Sequence, residues 1–190
     1  KALDWARFQA VATQAAKNVN AQMQLQNLYA QVQQRDPAIA AQIAAGGYDA
    51  AAIVFLHAYA NPAHEQAAAR CLRHLLPGVF VTISTDLSRE WYEYERTSTV
   101  AANAYVGPQV NSYLGQLQSD LRERGFAGTL YMMGSNGGVL SVERTRRQPI
   151  ALVESGPIGG CIGSGVFADA LGFANVISFD MGGTTAKAAM

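Results

Sequence analysis

The sequence has little charge and no excess of either sign. Charged residues make up 15% of its 190 residues, and 14 basic side chains balance 14 acidic ones. A neutral surface sets up no long-range field toward polyanions or anionic lipid. The sequence therefore predicts a protein that binds neither nucleic acid nor a membrane surface.

Cysteines are few, and long apolar runs are absent. Cys71 and Cys161 lie far apart and lack the short spacing of a metal site. We predict two reduced thiols and no disulfide, as in a cytoplasmic protein. The sequence contains no run of about eighteen apolar residues, the length that a membrane-spanning helix needs.

Apolar residues, at 49% of the chain, recur with the periods of helices and strands. Over residues 3–32 the period is helical and predicts one long helix or two. The apolar run 51–59 predicts a strand buried on both faces, and 79–84 predicts another strand. Residues 61–76 between them predict a helix. Strand, helix and strand with short connections indicate a parallel α/β sheet.

The rest of the chain continues in the same mixed pattern. Residues 89–125 are helical in pattern, with an interruption predicted at Gly107-Pro108. The other predicted elements are strands over 129–135 and 175–180, a turn over 136–138, an extended segment over 150–154 and a helix over 157–171.

Charged and aromatic side chains are crowded into the segment 89–96. The simpler interpretation is a helix whose charges pair across its turns and whose aromatic rings enter the core. The alternative is a segment that supplies polar contacts to a site between two lobes. The residues themselves favour the first interpretation.

The last stretch, SFDMGGTTAKAAM, combines the groups that hold a phosphate. Gly182 and Gly183 let backbone N–H groups approach an anion with no Cβ in the way. Thr184 and Thr185 add hydroxyl donors. Asp180, at the end of a predicted strand, is suited to hold a hydrated Mg²⁺.

Lys187 adds a cation to this stretch. Its ammonium can face the same anion or pair with Asp180. A plain β-hairpin, in which Gly182 and Gly183 serve only the turn, remains the alternative interpretation. The residues alone leave both possibilities open.

Other chemistries fail on spacing. His64-Glu65 lacks the second histidine of a zinc-protease helix, and no nucleophile elbow surrounds Ser135 or Ser155. Neither glycine-rich stretch has the Lys-Ser/Thr ending of a P-loop. The glycines of 163–165 fall inside a predicted helix, away from the strand end that a dinucleotide fingerprint requires.

Five segments occur together in one order: VFLHAYANPAHE, DLSREWYEYERTSTVAANAYVGP, MMGSNGGVLS, ESGPIGG and FDMGGTTAK. In order and spacing they resemble the hydantoinase A/5-oxoprolinase family, to which the ATP-dependent acetone and acetophenone carboxylases are similar. The resemblance covers residues 46–190. It implies an α/β fragment of the actin/Hsp70/sugar-kinase-like (ribonuclease H-like) ATPase fold, with ATP and Mg²⁺ bound between two lobes.

The resemblance also implies roles for particular residues. The family's phosphate loop matches Asp180, Gly182, Gly183 and Thr184. Its SGP-x-GG turn matches Gly156, Gly159 and Gly160, and its SNGG turn matches residues 135–138. Asp180 becomes the expected catalytic and metal-binding residue. Many relatives carry Asp where this chain has Lys187, which changes the expected surroundings of the metal.

The activity implied by the resemblance is ATP-dependent opening of a lactam or imide ring after phosphorylation of the substrate. A ketone carboxylase subunit and a noncatalytic nucleotide-binding or assembly module are the alternatives. Residues 1–96 are expected to end an N-terminal domain, and 97–190 to begin an incomplete main domain. We expect a section of a longer, oligomeric enzyme, inactive alone, with a second subunit resembling hydantoinase B.

Overall fold

A computed structural model describes residues 36–183 and 185–190, which form a mixed α/β structure. Its helices are α1 (Asp36–Ala45), α2 (Ala63–Leu75), α3 (Ser84–Leu87), α4 (Glu93–Glu123), α5 (Val142–Arg147) and α6 (Ser155–Leu171), with a 3-10 helix at Pro149–Leu152. Its strands are β1 (Ala50–Ile53), β2 (Phe80–Ile83), β3 (Tyr131–Met133), β4 (Val139–Ser141), β5 (Ser178–Met181) and β6 (Ala186–Ala189). The helix expected over 3–32 lies outside the described residues.

The predicted strand–helix–strand unit is confirmed. β1 and β2 pair in parallel, from Ala50 opposite Phe80 to Ile53 opposite Ile83, and α2 connects them. α2 begins at Ala63, two residues after the expected start, and the N–H of Ala63 donates a hydrogen bond to Oδ1 of Asn61 at 3.1 Å. The buried core of this unit comprises Ala40, Ile53, Ala69, Leu72, Val81 and Ile83.

The first strand is shorter than the apolar run that predicted it. β1 ends at Ile53, and the position before it, Ala52, is exposed, so burial on both faces is wrong for the described residues. Beyond the strand, side chains replace the sheet ladder at Phe55. Its N–H donates to Glu65 at 2.9 Å, and its carbonyl accepts from Arg96 at 3.2 Å.

The interruption expected at Gly107-Pro108 is wrong, because α4 passes through these residues without a break and is 31 residues long in all. A Cβ on Gly107 would lie 2.3 Å from the ring of Phe80, so the helix crosses β2 at close range there. The buried side chains Val100 and Leu114 lie on either side of this crossing. Packing on the sheet offsets the hydrogen bond that Pro108 cannot donate.

The aromatic rings near the start of α4 do not enter the core, so this expectation is also wrong. Trp91, Tyr92 and Tyr94 are exposed, while the charged residue Arg96 is fully buried. α4 begins at Glu93, and its buried face starts with Arg96 and Val100, which are four residues apart. The helical period thus turns Arg96 inward and leaves the rings outside.

The predicted turn at 136–138 is confirmed, as the link of the antiparallel β3–β4 hairpin. Gly137 has φ of +80°, which favours glycine, and the N–H of Gly138 donates to the side chain of Asn136 at 3.0 Å. α5 follows β4 at once, and the hydroxyl of Ser141 accepts from the N–H of Arg144 at 3.2 Å.

The expectation of an extended segment over 150–154 is wrong, because Pro149–Leu152 form a 3-10 helix. Asn103 of α4 holds this segment: its Oδ1 accepts from the N–H of Ile150 at 3.0 Å. Its Nδ2 donates to Thr82 at 3.0 Å and to the carbonyl of Arg147 at 3.2 Å. One buried amide thus joins β2, α5 and the 3-10 helix.

The last helix and hairpin follow the predicted order. α6 begins at Ser155, two residues before the expected start, and ends with Gly172 in the left-handed conformation (φ +75°). β5 and β6 then form an antiparallel hairpin in which Asp180 lies opposite Lys187. In the part of the chain that the structure describes, no helix has both the length and the apolar character needed to cross a bilayer.

Candidate functional site

The terminal hairpin presents an exposed carboxylate beside an open glycine turn. Asp180 is exposed on β5, and the N–H of Gly182 donates to the carbonyl of Thr185 at 2.9 Å, which closes the turn. A Cβ added at Gly183 would meet nothing within 4 Å. An anion can therefore reach the backbone of the turn. Thr184, the remaining loop residue, is outside the described ranges.

Lys187 is directed toward a different carboxylate from the one across the hairpin. Although it lies opposite Asp180 in the register, its ammonium contacts Oε2 of Glu154. Asp180 forms no ion pair within the described ranges. The charge of Lys187 is thus met by Glu154, and the carboxylate of Asp180 stays available to solvent.

The glycines of the SGP-x-GG stretch lie within the first two turns of α6, rather than in a separate turn before it. A Cβ at Gly156 or Gly160 would meet nothing within 4 Å, whereas one at Gly159 would lie 3.7 Å from Met133 of β3. The first N–H groups of a helix lack partners inside the helix and form the positive end of its dipole. This end of α6 carries no acidic residue in its first turn.

Two contacts join the terminal hairpin to α6 and to the residue that precedes it. The first is the pair between Glu154, just before α6, and Lys187 on β6. The second is a hydrogen bond from the hydroxyl of Ser164 to that of Ser178 on β5, at 3.0 Å. The hairpin that carries Gly182 and Gly183 therefore lies beside α6, the helix that contains the other glycine-rich stretch.

The SNGG turn packs against the same helix. A Cβ on Gly137 would lie 3.2 Å from Ile162 and 3.7 Å from Ile158, both on α6. The N–H of Ser135 donates to the carbonyl of Ala151 at 2.7 Å, just before α6 begins. All three stretches singled out in the sequence thus contact α6 or the residues that lead into it.

The chemistry of these groups fits a nucleotide with its magnesium ion. Mg²⁺ is typically held by one or two carboxylates together with phosphate oxygens and water, and Asp180 offers one exposed carboxylate. Within residues 36–183 and 185–190 no group of three or more His, Cys, Asp or Glu side chains is arranged to hold a metal. A metal at Asp180 would thus depend on oxygens from a ligand.

Sequence reasoning missed a buried polar cluster at the carboxyl ends of β1 and β2. Glu65 is fully buried, and its carboxylate accepts from the hydroxyl of Ser84 at 2.7 Å. It also accepts from the N–H and hydroxyl of Thr85 at 3.0 and 2.9 Å, and from the N–H of Phe55. One carboxylate therefore ties together the segments that follow both strands.

Arg96 completes this cluster. Its guanidinium, also fully buried, lies 3.8 Å from Glu65 and donates to the hydroxyl of Ser84 at 2.8 Å. The same group lies 5.8 Å from the ring centre of Tyr59 and 3.8 Å from Glu93. The sequence offers one signal for this cluster, which is the presence of polar residues after both strands. Ser84 and Thr85 directly follow β2, and His57 comes after β1.

A groove of about 820 Å³ runs along the free edge of β2, away from the predicted residues. Arg73, Arg146 and Arg147 line it, together with Asp49 and Asp86. Each arginine makes at least one hydrogen bond within the protein: Arg73 donates to the carbonyl of Val81, Arg146 to Asn111 and Gln118, and Arg147 to Glu143. The two aspartates give the same groove negative charge as well.

This chain belongs to the hydantoinase/oxoprolinase family. Residues 96–190 match the sequence profile described as Hydantoinase/oxoprolinase, and residues 11–76 match that of the family's N-terminal region. The family resemblance stated from the five segments is thereby confirmed. The mixed α/β architecture is confirmed as well.

Two relatives illustrate the membership. An uncharacterized protein of Methanocaldococcus jannaschii is 43% identical over 74% of this chain and 21% of its own length. The caprolactamase subunit alpha of Pseudomonas jessenii is 35% identical over 72% of this chain and 20% of its own.

Solved structures agree with the sequence relatives. The ATP-dependent caprolactamase of Pseudomonas jessenii superposes with a TM-score of 0.66 at 31% identity, covering 80% of this chain and 22% of the other. Nucleotide-free acetone carboxylase superposes with a TM-score of 0.67 at 26% identity, covering 83% and 22%. The chain thus spans about a fifth of the length of each of these relatives.

Proposed function

We propose that this chain is the phosphate-holding section of an ATP-dependent cyclic amidohydrolase that opens a lactam or imide ring. The observation that carries the proposal is the ion pair between Lys187 and Glu154, which holds the hairpin of Gly182 and Gly183 near the glycine-rich start of α6, while the carboxylate of Asp180 on that hairpin stays exposed. The proposal includes the actin/Hsp70/sugar-kinase-like fold for the intact protein. The named activity of the caprolactamase relative supports the substrate class.

The residues of this chain would hold and orient the nucleotide. The backbone N–H groups of Gly183 and of the first turn of α6 would face phosphate oxygens, and Thr184 and Thr185 would add hydroxyl donors. Gly182, whose N–H closes the turn on Thr185, would leave room for the phosphate because it has no Cβ. Asp180 would hold Mg²⁺. When bound, ATP would supply a phosphoryl group to the amide oxygen, which makes the amide carbon susceptible to attack by water so that the ring C–N bond can break.

The pair of Lys187 and Glu154 would act on the site indirectly. It fastens β6 to the residue before α6 and so fixes the spacing between the two glycine-rich stretches. Both side chains are partly exposed, and exposed ion pairs stabilise proteins by only about 0–1 kcal/mol. The value of the pair therefore lies in alignment of the hairpin.

The organisation of the intact enzyme is part of the proposal. Residues 1–96 would end an N-terminal domain, and 97–190 would begin the main domain of a longer polypeptide. The relative from Pseudomonas jessenii is named as a subunit, which favours an enzyme of more than one subunit. A second subunit resembling hydantoinase B is part of the proposal. Residues 1–190 would not turn over substrate alone.

The first experiment assays the intact polypeptide with its partner subunit, ATP and Mg²⁺. We expect ADP release together with a ring-opened product from 5-oxoproline, hydantoin or caprolactam. Release of ADP that requires a ketone plus bicarbonate, with no response to any cyclic amide, would reject the proposal. Binding of ATP without turnover of either substrate class would instead favour the noncatalytic module.

The second experiment tests the site within the active protein. Asp180→Asn keeps the size of the side chain and removes its charge, so we expect kcat to fall by about 10²–10³-fold, as for loss of one preorganised electrostatic group. Asp169→Asn is the matched control, since Asp169 is exposed on the far part of α6. Equal activity of the two variants would remove Asp180 from the mechanism.

A ketone carboxylase subunit is the second candidate. The observation in its favour is the superposition on acetone carboxylase, which covers 83% of this chain with a TM-score of 0.67. Both candidates use the same phosphate-holding groups and differ in the acceptor that is activated. Product analysis in the first experiment separates them.

A further inference from the structure

The loop that follows β1 holds a histidine in a conformation that side chains rarely adopt. His57 has φ of +55°, in the left-handed region that favours glycine. The turn is closed around it, because its carbonyl accepts from the N–H groups of Ala60 and Asn61 at 3.1 and 3.3 Å. Its side chain is exposed, whereas the next residue, Ala58, is 2% exposed.

The buried side chains of Glu65 and Arg96 hold this loop in place through hydrogen bonds to its backbone. Both backbone groups of Phe55, two residues before His57, are bound by these two side chains. Burying two charges costs desolvation energy, and well-packed apolar residues often stabilise a core equally well. Stability alone therefore does not account for the pair, and its contacts point to control of the position of the loop.

Polar and aromatic side chains surround His57 beyond the carboxyl end of β1. Nδ1 of His57 lies 3.5 Å from the hydroxyl of Tyr59, and the two rings meet edge to face at 5.9 Å. The guanidinium of Arg96 lies over the ring of Tyr59, and the carboxylate of Glu93 lies 3.8 Å from that guanidinium. Ligands of open parallel sheets bind beyond the carboxyl ends of the strands, which is where these groups are.

We propose that His57 contacts the substrate, hydrogen-bonding its amide or carbonyl group through the imidazole, and that Glu65 and Arg96 are positioning residues for it. Backbone strain at a non-glycine residue is typical of functional sites, where a required direction of the side chain outweighs its cost. The inference rests on the proposed function for the identity of the substrate, and it adds to that function a substrate-side residue.

Two substitutions remove the imidazole and keep the turn. Gly and Asn both tolerate the left-handed conformation, so His57→Gly and His57→Asn should fold with an unchanged or higher melting temperature. In the intact enzyme we expect KM for the cyclic amide to rise about tenfold, as for one lost hydrogen bond, with KM for ATP unchanged. His74→Asn, on an exposed histidine in the last turn of α2, is the control. Unchanged KM and kcat in both His57 variants would overturn the proposal.

A second measurement does not depend on turnover. Diethyl pyrocarbonate modifies accessible histidines, and mass spectrometry locates the modified sites. With ATP–Mg²⁺ present, 5-oxoproline, caprolactam or acetone should each be tested for protection. We expect one of them to protect His57 and leave His74 reactive.

Equal modification of His57 with every probe overturns the inference, even in an active enzyme. Protection by acetone alone would reject the amidohydrolase and retain the role of His57.

The positioning role of the buried pair has its own test. In Glu65→Leu/Arg96→Met, apolar side chains replace both charges, so the melting temperature should recover relative to the single variants. We expect KM for the substrate to stay raised in the double variant, because Phe55 is no longer held. Recovery of both melting temperature and KM would reduce the pair to a purely structural role.

Discussion

At the scale of single residues, the contact at Gly107 is the tightest place where a helix meets the sheet. A Cβ there would lie 2.3 Å from the ring of Phe80, so Gly107→Ala should destabilise the protein by about 1–3 kcal/mol, the usual cost of overpacking. Gly115→Ala on the same helix is the matched control. Its Cβ would meet only Arg146, at 3.9 Å, so a gain of about 0.5–1 kcal/mol is expected. Urea-induced unfolding of the intact polypeptide measures both; a loss at Gly115 as large as that at Gly107 would contradict the argument.

His64 provides a pH-dependent test. Burial lowers the pKa of His64 from its ordinary value of 6.5. The unfolded chain then binds this proton at higher pH than the folded protein, so stability should fall as pH drops below 6.5 and level off below the folded pKa. Unfolding of the parent and of His64→Gln at pH 7.5 and about 5.5 measures the effect. His74→Gln should behave as the parent; the same pH dependence in His64→Gln would refute the assignment.

Individual residues were predictable where their chemistry was local. Gly182, Gly183 and Asp180 were identified because glycines and a carboxylate stand together in one short stretch. Glu65 and Arg96 were not identified, because they are 31 residues apart and meet only when α4 packs on the β1–β2 unit. No sequence-local pattern distinguishes a charge that becomes buried from one that stays in water. The roles of Asp180 and the glycines remain predictions.

At the scale of the elements, one buried amide ties α4 to β2, α5 and the 3-10 helix. Asn103 satisfies the N–H of Ile150, the hydroxyl of Thr82 and the carbonyl of Arg147. Asn103→Leu leaves these buried groups without partners, each at a cost of about 1–3 kcal/mol. We therefore expect a loss of stability of at least about 2 kcal/mol, measured by thermal unfolding.

Asn111 on the same helix supplies the matched control for that prediction. Its Oδ1 is buried without a hydrogen-bond partner in the described part of the chain. Asn111→Leu thus removes an unsatisfied group and should cost far less than Asn103→Leu. Similar losses in the two variants would show that helix packing, rather than the amide, holds the 3-10 helix against α4.

The elements themselves were largely predictable from periodicity, and the errors have physical causes. The parallel unit, the turn at 136–138 and α6 followed from apolar spacing and glycine signals. The break at Gly107-Pro108 did not occur, because packing on β2 outweighs the local preference of proline. The segment 150–154 is not extended, because Asn103, distant in sequence, captures its backbone.

At the scale of the whole molecule, ligand binding should report the proposed site. A ligand that binds only the folded state stabilises it by about 2.7 kcal/mol at a hundred times its Kd. We expect ATP with Mg²⁺ to raise the melting temperature of the intact protein, and chelation of Mg²⁺ to remove most of the increase. Asp180→Asn should show a smaller increase, and Asp169→Asn the full one. An equal increase with and without Mg²⁺ would argue against a metal at Asp180.

The unbroken course of α4 restricts how the molecule can move. Its 31 residues form a rod about 46 Å long at 1.5 Å per residue. The rod touches the histidine-bearing loop through Arg96 near one end and the approach to α6 through Asn103 farther along. Because α4 has no break at Gly107-Pro108, these two places move together as parts of one rigid helix. In the proposed enzyme, a closing motion would therefore pivot outside α4 and move both places together.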